Sequence, residues 1–347
     1  MSLDNLMDQL DNQRRRVDFD TYDITVQQLI SMVETGAIDV APIYQRQFRW
    51  DNEKRSHLVE SVFLGVPVPS LFMATNRDGT WELVDGVQRL STLIQFAGSE
   101  EARRRLSLKK PLVIIGLEKL SELNELSFTD LPESIKLQFL LRPMKVITLS
   151  DKSDMIVRFD LFERLNTGGV ALTNQEIRAC IFRGQFNEFL EEMASNEDFH
   201  ISVHLTQTQE KDGTREEFVL RFFAFLNRYK EFEHSVIDFL NDYMKDASKS
   251  FNYSLGRKTF RNTFEKLSSI LPEGIVRGNR KITPVNLFEG VSVGAALALR
   301  KRDDLIRIKV KEWINSEELR KFTTGATNNR TTVINRIEYC RDKFLGK

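Results

Sequence analysis

The chain has 347 residues, 41% of them apolar and 29% charged, with 50 Lys and Arg balancing 50 Asp and Glu. That length exceeds what one hydrophobic core usually fills, so two domains are expected, and the composition excludes a disordered or fibrous chain. The cancelled charge excludes a global positive field drawing the molecule to nucleic acid, leaving only local basic patches for such contact.

Two widely spaced cysteines, Cys180 and Cys340, without a CxxC pair, exclude a disulfide framework and a cysteine zinc site. The N-terminus MSLDNLMDQLDNQRRR lacks the apolar core of a signal peptide, and no apolar run reaches the roughly 18 residues of a membrane span. A cytoplasmic protein is expected.

Residues 1–19 read as a flexible or partner-dependent terminus. Thr25 is placed to cap a helix, VQQLISMVETG, that stops at Gly36. VAPIYQRQFRW reads as extended, and Asn52 is then expected to cap the helix EKRSHLVESVFLG. VPVPSLFMAT and TWELVDG are two strands of a hairpin closed by NRDG, followed by a helix over 87–97. PLVIIG and MKVITLS are two further strand candidates. From Ser153 the period changes: MIVRFDLFERLN, NQEIRACIF, REEFVLRFFAFLNRY, VIDFLNDYM and TTVINRIEYCRDKFL all space apolar residues by three and four. The expected class is α+β, an α/β domain over about 20–150 followed by an α-helical domain over 151–347.

Three polar clusters interrupt this patterning. The first is Tyr44-Gln45-Arg46 with Arg49-Trp50. The second is Asp85-Gly86-Val87-Gln88-Arg89, followed by Ser91 and Thr92. The third is Arg164-Leu165-Asn166-Thr167-Gly168-Gly169, with Thr173 and Glu176 after it.

In the second cluster Gly86 lets the backbone turn, and the following helix offers first-turn N–H groups and the positive end of its dipole to an anion such as phosphate. Arg89 could add a forked contact and Ser91 or Thr92 a hydroxyl. Asp85 beside a phosphate needs a reason: it holds a cation, orients the arginine or positions water. The plain structural alternative makes Asp85 the helix cap and Arg89 a solvated side chain. The third cluster likewise reads either as a glycine stop with Thr173 or Asn174 capping the next helix, or as a backbone that approaches a ligand. The first reads as packed aromatics or as a ligand edge.

Taken in order, PIYQRQFRWDNEKRSHLVESVFLGVPVPSLFM, WELVDGVQRLSTLIQF and FERLNTGGVALTNQEIRACI resemble three blocks of one prokaryotic family, the N-terminal domain of GmrSD-type (type IV) restriction endonucleases, in the ParB/sulfiredoxin-like superfamily. The resemblance covers about residues 20–185. It implies a ParB-like N-terminal domain with a nucleoside triphosphate (NTP) site. Asp85, Gly86, Gln88 and Arg89 would form its centre, flanked by Gln45, Arg46 and Arg49 and closed over by Asn166, Thr167, Gly168 and Gly169. On that reading Arg89 and Arg46 neutralise phosphate, Gln88 orients water or phosphate, and Asp85 binds Mg²⁺ through water or fixes Arg89. One departure is Val87, where many members carry Gln.

Full-length members often add an HNH nuclease, whose chemistry needs a histidine and clustered metal ligands. The four histidines here are His57, His200, His204 and His234, so no such motif occupies the last hundred residues. His200 and His204 share a helical spacing that reads as a surface helix rather than zinc. Arg228 to His234 fits the Arg-x-His spacing of HEPN ribonucleases only loosely. Basic runs at Arg14–Arg16, Arg103–Arg105, Lys301-Arg302 and Arg307-Lys309-Lys311 read as solvated faces, with DNA contact left open.

The function implied is an NTP-binding, NTP-hydrolysing regulatory or sensing subunit of a prokaryotic restriction or anti-phage defence system, gating a nuclease in a partner chain. NTP of undetermined base and Mg²⁺ are the expected cofactors, and a partner nuclease, DNA and a second copy of the chain the candidate partners. Two other classes stay open: a ParB-like nicking nuclease acting itself, and a non-catalytic DNA-binding or scaffold protein.

Overall fold

A computed structural model describes residue 7, residues 18–40, 50–76, 78–150, 159, 161, 163–164, 172–278, 280–325 and 327–347. The chain divides into two compact units, Met1–Ala171 and Leu172–Lys347.

The first unit is built on a five-stranded mixed sheet in the order β1-β5-β3-β4-β2. Its elements in chain order are β1 (Phe19–Thr25), α1 (Val26–Thr35), β2 (Ile38–Asp39), α2 (Asn52–Leu64), β3 (Leu71–Thr75), β4 (Trp81–Asp85), α3 (Val87–Ala97), α4 (Glu100–Arg105), α5 (Glu133–Leu140) and β5 (Pro143–Leu149). β1 runs antiparallel to β5, β5 parallel to β3, β3 antiparallel to β4, and β4 parallel to β2.

Thr25 caps α1 by accepting from the Gln28 N–H, and Gly36 ends it in the left-handed conformation, as expected. The α2 cap differs: Asp51, not Asn52, accepts from the Lys54 N–H, and Asn52 is the first helical residue. The expected hairpin is present, with Asn76 N–H donating to the Thr80 carbonyl at 2.8 Å. PLVIIG is not a strand. It alternates like one, with Leu112 and Ile114 buried and Val113 and Ile115 exposed, but among the described residues its one ladder contact is an isolated bridge from Val113 to Ser127. β1 went unread in the sequence because five of its seven residues face solvent. α1 and α3 bury Leu29, Val33, Leu90, Leu93 and Ile94, and Phe63, Phe96, Phe128 and Phe139 form an edge-and-tilt aromatic cluster beside them. Each such side chain contributes about 1.5–3 kcal/mol by leaving water.

The second unit has no strand among its described residues. It comprises α6 (Asn174–Ile181), α7 (Gln185–Ala194), α8 (Glu197–Ser202), α9 (Thr214–Arg228), α10 (Val236–Ala247), α11 (Tyr253–Ile270), α12 (Val285–Phe288), a π-helical turn (Glu289–Val293), α13 (Gly294–Leu299), α14 (Val310–Ile314), α15 (Glu317–Thr323) and α16 (Arg330–Leu345). Phenylalanines dominate the core: Phe199, Phe222, Phe260 and Phe264 are fully buried and in mutual ring contact. Of the two expected caps, Thr173 and Asn174, it is Thr173 that caps α6, in a reciprocal box with Glu176. His200 and His204 do not share a helix, because α8 stops at Ser202.

A chain of buried ions crosses this core. Arg178 donates to Glu217 (3.1 Å) and Asn241 (2.7 Å), Arg221 to Glu217 (2.7 Å) and to Glu289 (2.7 Å), and Arg336 to Glu289. Burial pulls the Arg178 guanidinium below its usual range, with Glu217 opposing the shift. Burial alone would raise the Glu217 carboxyl, but Arg221 and Arg178 outweigh it and hold the group below the usual carboxylate range.

Candidate functional site

The second polar cluster lies where β4 ends and α3 begins. Gly86, at φ +102°, makes the turn. A side chain here would be strained by that φ and would strike Leu71, since a Cβ would lie 2.4 Å from Leu71 Cδ2. A Cβ at this place would also meet the Arg89 guanidinium at 3.1 Å, so the glycine is what lets that guanidinium lie over the turn. Gly86 supplies no side chain to cap α3, so its first-turn N–H groups are left for backbone, water or a ligand.

Asp85 is not the helix cap. Its Oδ2 accepts from Arg89 Nη2 at 2.6 Å, and the same nitrogen donates to the Ser70 carbonyl at 3.2 Å. Arg89 is 15% exposed and Asp85 35%, so Arg89 is not a solvated side chain either. Among the described residues, the buried Arg89 Nε has no hydrogen-bond partner. A buried N–H of a charged group left unpaired is costly, and an incoming acceptor would relieve it. Of the three roles open to Asp85, the one this geometry displays is fixing Arg89.

Gln88 accepts at Oε1 from the Trp50 N–H at 3.2 Å. The C-terminal end of the first cluster therefore meets the middle of the second, although 38 residues separate the two partners. Gln45, Arg46 and Arg49 lie outside the described residues, as do Asn166, Thr167, Gly168 and Gly169. Ser91 and Thr92 are buried, and the Thr92 hydroxyl donates to the Gln88 carbonyl at 2.7 Å. That hydroxyl is engaged within the helix rather than presented at its start. Val87 is the half-buried first residue of α3. Neither the Ser70 carbonyl nor the Trp50 amide is legible in the sequence, since backbone groups carry no residue signature.

Among the described residues no group of three or more His, Cys, Asp and Glu side chains could hold a metal. Mg²⁺ can be held by one carboxylate together with substrate phosphates. Asp85 fits that role on condition that it shares or releases Arg89. Arg228 donates to Asp246 (2.9 Å) and lies over the Tyr243 ring, while His234 is exposed, so the ribonuclease-like spacing is not expressed as a paired site. Arg104 and Arg105 pair with Glu100 and Glu101 on their own helix, the solvated face expected of that run.

Residues 26–183 match the model of the family described as the GmrSD restriction endonuclease, N-terminal domain. Just under half of the chain is thus similar to that N-terminal domain. The matched span includes the three clusters and the whole of β4, the Gly86 turn and α3. The similarity points to a restriction- or defence-related protein. Among solved structures, a Pnob8-like ParB-N domain is similar over 94% of this chain and 96% of that chain, at 13% identity and a TM-score of 0.23. So loose a superposition carries no argument, and the fold rests on the sheet and helices described above. No curated protein matches the chain. No helix among the described residues is long and apolar enough to cross a membrane.

Proposed function

We propose that the first unit of this chain binds a nucleoside triphosphate at the β4–α3 turn, with phosphate oxygens on the α3 N-terminus and the Arg89 guanidinium. The observation that carries this reading is the state of Arg89. It is mostly buried, tethered by Asp85 and the Ser70 carbonyl, and holds an unpaired Nε–H beside an uncapped helix start. A tethered guanidinium loses little freedom on meeting a phosphate, and the helix end adds N–H donors without reorganisation.

Hydrolysis follows as the finer part of the proposal. Gln88, anchored by the Trp50 amide, would orient water or a phosphate oxygen, and Mg²⁺ would neutralise the phosphates with one ligand from Asp85. The chain would then act as a nucleotide-responsive regulatory or sensing subunit of a prokaryotic restriction or anti-phage system, gating a nuclease held in a partner chain.

Calorimetric titration of the purified chain with ATP, GTP, CTP and UTP, each with and without Mg²⁺, tests the binding step. Saturable heat with at least one of them is expected, and phosphate release by wild type but not by Gln88→Ala would support hydrolysis. Absence of heat with all four overturns the reading.

A further inference from the structure

A cavity in the second unit has no part in the nucleotide turn. It encloses about 310 Å³ between the C-terminal halves of α9 and α10, the first turns of α11 and Arg300, the residue after α13. That volume lies at the small end of the range for ligand sites and has room for a molecule of one or two rings. Its walls are aromatic and fixed. Phe223 and Tyr243 are buried and Phe251 is half-buried. The Phe251 ring packs on Phe186 (4.9 Å), Phe189 (5.0 Å) and Phe223 (5.4 Å). Gly256 of α11 makes room for it, since a Cβ there would lie 2.7 Å from Phe251 Cε1. A glycine inside a helix is destabilising relative to alanine, and here it lets that ring lie against α11.

The polar groups of the lining are not all spent on one another. Asp246, its one carboxylate, accepts from Arg228 at 2.9 Å. Arg300 is exposed, and among the described residues it has neither a carboxylate in salt-bridge range nor a side-chain hydrogen bond. Asn227 Nδ2 donates to the Tyr243 hydroxyl oxygen at 2.7 Å, which leaves the phenol's own proton without an acceptor among the described residues. Burial pushes this hydroxyl up to about 12, so the proton stays on it throughout the physiological pH range. Tyr243 is only 4% exposed, and a buried donor of this kind ordinarily has a partner.

Aromatic walls select a planar, largely apolar body. An unspent guanidinium and an unspent phenol O–H select an acceptor, and a guanidinium without a counter-ion favours one that carries negative charge. A triphosphate calls for several cations, yet Arg228, the other cation of the lining, already has its counter-ion in Asp246. One uncommitted cation answers one charge. A carboxylate, with a single charge and two acceptor oxygens, matches the two donors that are left.

We infer that this cavity binds a small aromatic carboxylate, its ring against Phe223 and Phe251 and its carboxylate on Arg300 and the Tyr243 hydroxyl. The inference needs nothing from the nucleotide turn, and it stands or falls separately from nucleotide binding there.

The test is a ligand-observed NMR screen of the full chain with a fragment panel in which each aromatic carboxylate, benzoate and indole-3-carboxylate among them, is paired with its carboxamide. Carboxylates are expected to bind, their carboxamides at least tenfold more weakly, and the difference should shrink as salt rises. Arg300→Gln should weaken the best carboxylate at least tenfold, and Tyr243→Phe, which keeps the ring and removes the hydroxyl, should weaken it severalfold. Arg300 is exposed, so Arg300→Gln should keep the wild-type melting temperature, and Tyr243→Phe provides a second, chemically different probe. A panel in which no carboxylate binds, in which acid and amide bind alike, or whose binding Arg300→Gln leaves unchanged overturns the proposal. So does displacement of the bound carboxylate by ATP, which would give the cavity to the nucleotide.

Discussion

Arg89 Nη2 lies 2.6 Å from Asp85 Oδ2, four residues earlier, across a glycine whose replacement would crowd Leu71 and press on the guanidinium. Both partners stand at the mouth of α3, so the pair presents a cation already held in place where a phosphate would arrive. Arg89→Ala should therefore weaken nucleotide binding by about 10- to 100-fold, the range for loss of a charge-assisted contact of roughly 1.5–3 kcal/mol. Asp85→Asn, which keeps the shape and loosens the tether, should weaken it less. Isothermal titration of both variants against the best nucleotide measures the order, and equal losses would argue against a distinct positioning role for Asp85.

The same turn explains a second expectation. Gly86→Ala places a methyl 2.4 Å from Leu71 Cδ2, at a φ of +102° that L-residues rarely adopt. Leu71 is fully buried in β3 and has little room to retreat. A loss of about 1–3 kcal/mol in folding stability is expected, since strain of that order attends such backbone positions. Urea unfolding of Gly86→Ala, followed through a signal of the first unit, gives the value, and an unchanged midpoint would contradict the geometry.

How much of this was legible in the sequence differs element by element. The Asp-Gly turn, α3, α6 with a cap at Thr173 or Asn174, and the helical second unit were readable because each rests on local chemistry: a glycine, a cap, or a three-and-four period. β1 was not, because FDTYDIT sits at the sheet edge with five residues in solvent and carries no apolar alternation. PLVIIG misled for the opposite reason. Its alternation is real, but a strand also needs a neighbour that pairs along its length, and here the neighbouring segment pairs only briefly, through the Val113–Ser127 bridge and the Ile114 backbone bonds to Leu126 and Glu125. At the site, the residues of the turn were readable and their partners were not. The Ser70 carbonyl and the Trp50 amide reach Arg89 and Gln88 over 19 and 38 residues. The ion chain of the second unit was invisible for the same reason, since Arg221 and Glu289 are 68 residues apart.

That ion chain carries three guanidiniums, Arg178, Arg221 and Arg336, against two carboxylates, Glu217 and Glu289. Glu289 and Arg336 are completely buried. Glu289→Gln leaves two arginines facing a neutral amide in a dry core, and removing one partner of a buried pair typically costs about 3–5 kcal/mol. Chemical denaturation should show that loss in the second unit. A loss under about 1 kcal/mol would mean that water or a rearranged side chain compensates the arginines.

Acid should act on the same network through Glu217. Its carboxyl is held below the ordinary value of 4.5 in the folded chain, by Arg221 and Arg178 acting against burial. A group whose folded-state pKa is depressed contributes stability that is complete above the unfolded value. That contribution shrinks as the pH falls below about 4.5 and disappears once the pH passes the lowered folded value, where both states are protonated. The denaturation midpoint of wild type should thus fall between pH 6 and about pH 3. Glu217→Gln should start lower at pH 6, because Arg178 and Arg221 lose a counter-ion, and should then lose less on the way to acid. Parallel pH profiles for the two proteins would show that Glu217 is not a source of the acid sensitivity.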